Sequence, residues 1–136
     1  MWSNLAVAYS RTPGEKDRAK DGFLEAAKRC REALKANPND PVMLSDLAMF
    51  VASEGDERQE PLVLIEKALA LAPQDTYVQF NAAETYESLG YHKEALDWLE
   101  KLVKAGYPLD DINQSPVLAE LVKDPRYQGM VAARKK

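Results

Sequence analysis

Apolar residues recur along the middle of the chain with the period of a helix. Leu44, Leu47, Ala48 and Val51 fall at i, i+3, i+4 and i+7, which lines them along one helix face, and Gln79, Ala82, Ala83 and Tyr86 repeat that spacing less strongly. The starts of these helices are marked. Asp40-Pro41, Ser115-Pro116 and Asp124-Pro125 each set a side-chain acceptor before a proline at the first helical position, where the missing N–H is not needed. Asp75-Thr76 supplies a further cap.

The helical pattern is itself repeated. Glu32-Ala33-Leu34-Lys35-Ala36-Asn37-Pro38 returns as Lys67-Ala68-Leu69-Ala70-Leu71-Ala72-Pro73, 35 residues later, and Gly55 and Gly90 are also 35 residues apart. Each glycine follows an apolar-periodic segment, where a left-handed residue ends one helix and opens a tight turn into the next. A period of this length predicts stacked helix pairs, each of which buries its apolar face against its neighbours.

In the first unit, Trp2, Leu5, Ala6 and Tyr9 are followed by Phe23, Ala26, Cys30, Ala33 and Pro38. In the second, Leu44, Leu47, Ala48 and Val51 are followed by Gly55, Pro61, Ile65, Ala68 and Pro73, and in the third Ala82, Ala83 and Tyr86 by Gly90, His92, Ala95, Leu99 and Leu102. This series resembles the tetratricopeptide repeat family. The resemblance implies an all-α, right-handed α-solenoid of about three helix-turn-helix units. Small residues such as Ala48, Ala83 and Ala68 let paired helices approach closely. One domain is expected over residues 1–136: a first repeat at 1–38 with an enlarged turn at 10–22, a second at 39–74, a third at 75–108, and capping helices at 109–136. Pro61 places the start of its helix near Gln59 or Glu60. From Leu109 the period fails, and two short helices are expected at about 117–123 and 125–133, covering the last apolar face. This tail, from Ala105-Gly106-Tyr107-Pro108 to Asp124-Pro125-Arg126-Tyr127, resembles the end of repeat regions in bacterial signalling proteins, including serine/threonine kinases and nucleotide cyclases.

Composition narrows the function classes. The chain has 136 residues, 46% hydrophobic and 29% charged, which is ordinary globular usage. With a net charge of -4 and basic residues interspersed among acidic ones, it has no electrostatic footprint for nucleic acid. No apolar stretch reaches membrane-spanning length and no signal-peptide pattern opens the chain. Cys30 is the single cysteine, so no disulfide forms within the chain, which favours a reducing compartment and a cytoplasmic location.

No pattern of catalytic chemistry emerges. His92 is the lone histidine, with no second ligand at metal spacing, and Cys30 falls on an apolar face as a small core residue. Asp110-Asp111 and Asp56-Glu57 sit beside expected helix starts, where carboxylates favour the macrodipole. Asn113-Gln114-Ser115 matches a glycosylation pattern that lacks a secretory context. Phosphate-binding glycine loops, paired-histidine zinc motifs and nucleophile elbows are all missing. No enzyme activity, cofactor or metal is therefore expected.

The resemblance implies a concave groove lined by the first helices. Residue by residue it comprises Ser3, Val7 and Ser10; Val42, Ser45, Met49, Ala52 and Ser53; and Tyr77, Phe80, Asn81, Glu84, Glu87 and Ser88. The principal expected partner-binding set is Val42, Ser45, Met49, Ser53, Tyr77, Phe80, Asn81, Glu84 and Glu87. Val42, Met49, Tyr77 and Phe80 form an apolar strip there, unless they pack between helices or against the cap. Asp46, Glu84 and Glu87 stand where a carboxylate-binding member of the family needs cations, so a basic or apolar protein ligand is expected rather than an acidic one. The expected function is a protein-interaction module binding a peptide or helix, part of a larger signalling protein. The alternative is a self-association element, which sedimentation at several concentrations distinguishes.

Overall fold

The computed structural model describes residues 16–54 and 58–135, and its described residues contain helices and turns but no strand. The helices are α1 (Lys16–Ala36), α2 (Pro41–Glu54), α3 (Gln59–Leu71), α4 (Thr76–Ser88), α5 (His92–Lys104), α6 (Leu109–Asn113) and α7 (Pro125–Lys135), with a 3-10 turn at Leu121–Lys123. Trp2, Leu5, Ala6, Tyr9, Ser3, Val7, Ser10, Gly55 and the Asp56-Glu57 pair lie outside the described residues.

Each boundary has a local cause. Asp40 Oδ1 accepts from the backbone N–H of Val42 and Met43 at 3.0 and 3.2 Å, and Asp75 Oδ1 does the same for Tyr77 and Val78 at 2.8 and 3.2 Å. Asp124 caps α7 through Arg126 N–H at 2.8 Å. At the other ends, Gly90 and Gly106 take φ of 86° and 85°. Around them, Tyr91 N–H reaches Tyr86 O and Tyr107 N–H reaches Leu102 O, at 2.8 and 3.0 Å, while each glycine N–H bonds the carbonyl three residues back. Two Schellman caps, 16 residues apart, therefore turn α4 into α5 and α5 into α6.

The helices pack in succession as an α-solenoid: α1 on α2, α2 on α3, α4 on α5, with α2 and α3 also packed on α4. Phe23, Ala26, Ala27 and Cys30 of α1 meet Leu47, Met49, Phe50 and Val51 of α2. Leu44, Ala48, Ile65, Ala68, Val78 and Ala82 join α2, α3 and α4. Ala83 and the inner face of α5 then enclose Ile112, Leu118, Leu121 and Tyr127 of the C-terminal segment. Arg31 ties α1 to α3 by forking onto Glu60 at 2.6 and 2.8 Å.

The structure differs from the sequence reading in two segments. Residues 16–22, assigned to an enlarged turn, are helical from Lys16 onward. The helix expected at 117–123 is a run of turns ending in the 3-10 segment. There Leu118, Ala119 and Lys123 N–H groups bond carbonyls three residues back rather than four, and Ser115 Oγ also accepts from Leu118 N–H at 3.3 Å. The serine side chain competes with the regular helical bond.

One buried group is poorly satisfied. Gln79 is 6% exposed; its Nε2 donates to Pro73 O at 2.8 Å, while Oε1 has no donor. Replacing it with methionine removes this orphan acceptor and leaves an exposed proline carbonyl to water. Gln79→Met is therefore expected to stabilise the fold by about 1 kcal/mol in urea denaturation, and a loss of similar size would contradict the assignment.

Candidate functional site

Helices α2 and α4 lie side by side, each held in register by its aspartate cap, and their facing residues are joined by a polar network. Ser45 Oγ donates to Val42 O at 2.9 Å, so its proton is committed within α2. Asn81 of α4 then donates from Nδ2 to Ser45 Oγ and to Asp46 Oδ1, both at 2.9 Å. Tyr77 Oη donates to the same Asp46 Oδ1 at 2.7 Å. Ser45 and Asn81 are 0% and 3% exposed, whereas Tyr77 is 47% exposed. The site thus has a buried polar floor and an open aromatic edge.

The expected groove residues separate into three groups. Ser45, Tyr77 and Asn81 meet in this network. Met49 is buried in the α1–α2 cluster and Val42 packs partly buried at the junction of α2, α3 and α4, so these two do not extend an open apolar strip. Ala52 is buried as well, and Ser53 points its hydroxyl at Met49 Sδ, 3.7 Å away. Phe80 and Glu84 face the C-terminal segment. Phe80 stacks on Tyr107 with ring centroids 5.4 Å apart, and Ser115 Oγ donates to Glu84 Oε2 at 2.7 Å. Glu87 contacts His92 Nδ1 at 2.5 Å beside the α4–α5 turn.

Burial sets the electrostatics. Asp46 is raised above the usual carboxylate range by burial, opposed by the hydrogen bonds from Tyr77 and Asn81, with Asp40 adding a small upward push. Glu84, 8% exposed, is pushed by burial up to about 7, opposed by Ser115 and assisted by Asp46. Burial, then the Asp46 carboxylate, drives the Tyr77 phenol well above its ordinary value. In the α1–α2 core, burial holds the Cys30 thiol up at about 11, so it stays protonated and unreactive near neutrality.

Asp46 is the residue that the expected partner-binding set omits. Its signal is present in the repeat, since it precedes Asn81 by 35 residues and follows Val42 by one helical turn. Among the described residues, no group of three or more His, Cys, Asp or Glu side chains is arranged to hold a metal, and no helix is long and apolar enough to cross a membrane. A cleft of about 530 Å³ between α5 and α7, lined by Val103, Lys104, Arg126, Met130 and Arg134 among others, is separate from this network.

The chain is similar to the peroxisomal targeting signal receptor of Kluyveromyces lactis, with 30% identity over 93 residues that cover 68% of this chain and 16% of that protein. The chain therefore spans about a sixth of that relative's length. No protein-family model matches it. The likeness, together with the succession of packed helix pairs, supports a tetratricopeptide-like helical repeat.

Proposed function

We propose that this domain is a non-enzymatic protein-interaction module that holds a segment of a partner along the joined α2–α4 face. The carrying observation is Tyr77, an aromatic ring 47% exposed yet anchored through its hydroxyl to Asp46 across the helix pair. An anchored ring offers contact area at small further cost in side-chain freedom, as binding hot spots do. That the similar protein is a targeting signal receptor supports a segment of another protein as the ligand class. Asp46, with which no lysine or arginine pairs among the described residues, favours a basic or apolar segment over an acidic one.

In this reading, residues 39–74 and 75–108 are two repeats and 109–136 holds the capping helices. The pairs Arg31–Glu60 and Asp97–Arg126 support it, because the first links the second helices of the first two repeats and the other ties the cap to the third. Repeat one, at 1–38, contributes α1. The bacterial signalling context rests on the tail sequence alone, as part of the same proposal.

Peptides selected on the immobilised domain from a random display library test the reading. Tyr77→Ala is expected to weaken the selected peptides by about tenfold or more while the circular dichroism spectrum stays unchanged. Equal affinity for both proteins overturns the assignment of this face.

A further inference from the structure

The network between α2 and α4 fixes the orientation of an amide. Ser45 has spent its proton on Val42 O, and Asp46 is an acceptor, so both must receive from the Nδ2 side of Asn81. Asn81 Oδ1 is thereby turned away from both partners. Asn81 is 3% exposed, so its amide is a buried wall of the site that holds Asp46 in place. Asp46 is less buried and keeps an acceptor in reserve. Both of its hydrogen bonds fall on Oδ1, leaving Oδ2 unused, and no lysine or arginine pairs with it among the described residues.

One acceptor oxygen without a donor among the described residues, Asp46 Oδ2, therefore stands beside the half-exposed ring of Tyr77. We infer that Asp46 and Tyr77, positioned by Asn81, form a subsite for the guanidinium group of an arginine in the bound partner segment. The inference rests on the α2–α4 face being the binding surface, and it names the chemistry recognised there. A planar guanidinium presents several N–H donors in a fixed fork, so it can pair with the carboxylate while its flat face lies against the phenol ring. An ammonium is a point charge with no flat face to lay on the ring. Burial already disfavours the Asp46 charge, and a cation at Oδ2 restores it.

The test is a proton–nitrogen NMR titration of the full chain with an end-blocked nonapeptide that carries one arginine among alanine and glycine. Its lysine and citrulline versions are the comparison probes. The arginine peptide is expected to give saturable shifts of the Asn81 side-chain amide, with Kd of about 1 mM or tighter. The citrulline peptide and the variant Asp46→Asn are each expected to bind about tenfold more weakly, and the lysine peptide more weakly than the arginine one. Asp46→Asn keeps an oxygen for Tyr77 and Asn81, and Tyr77→Phe keeps the ring, so a folded variant is available either way. Equal binding of the three peptides, or no saturable shift with arginine, overturns the subsite and leaves the wider face standing. Saturable shifts confined to helices other than α2 and α4 overturn both.

Discussion

Tyr127→Ala is expected to destabilise the domain by about 4 kcal/mol, the cost of removing a large aromatic side chain from a closed core. Tyr127 is 1% exposed and belongs to the cluster that joins α4 and α5 to Ile112, Leu118 and Leu121. Its hydroxyl also donates to Asn113 Oδ1 at 3.2 Å, so the ring ties α7 to α6 and both to the last helix pair. If the C-terminal segment is part of one cooperative core, urea unfolding of the variant shifts as a single transition with the slope retained. A loss below about 1 kcal/mol, or a separate early transition, would show that the segment is only loosely appended.

Stability is also expected to fall as pH rises from about 4.5 to about 7 through the titration of Glu84. Burial raises this carboxyl from its ordinary 4.5 to about 7, so over that interval the folded state keeps a proton that the unfolded chain has released. The contribution is complete below the unfolded value and is lost by the time pH passes the folded one. At 8% exposed the group is well sealed, and the shift corresponds to about 3 kcal/mol. Glu84→Gln retains an acceptor for Ser115 Oγ and cannot ionise. The difference in unfolding free energy between variant and wild type is therefore expected to grow over this interval and level off above it. A constant difference from pH 4.5 to 8 would rule out the titration.

Much of the fold was legible because its causes are local. The aspartate caps, the prolines after them and Gly90 act within one helical turn, and the 35-residue recurrence exposes the stacking before any contact is known. The C-terminal segment was less legible. Ser115-Pro116 has the form of a helix start, but Ser115 also serves Glu84, 31 residues away in sequence, and tertiary demand holds the chain in turns. The face was readable in part. Tyr77, Asn81 and Ser45 follow from their register, as does Asp46, 35 residues before Asn81, but the bond that ties Asp46 to Tyr77 across the helices is decided by packing. Met49 and Phe80 look the same in sequence as groove residues; whether α1 or Tyr107 covers them is decided by packing.

The most direct test of the α2–α4 face places photoreactive benzoylphenylalanine in the same selected peptides and maps where they cross-link to the unaltered domain. Val63 on α3 is 63% exposed, so it too is reachable by a bound chain. The account predicts cross-links on α2 and α4 and none at Val63. Cross-links at Val63 with none on α2 or α4 would contradict it.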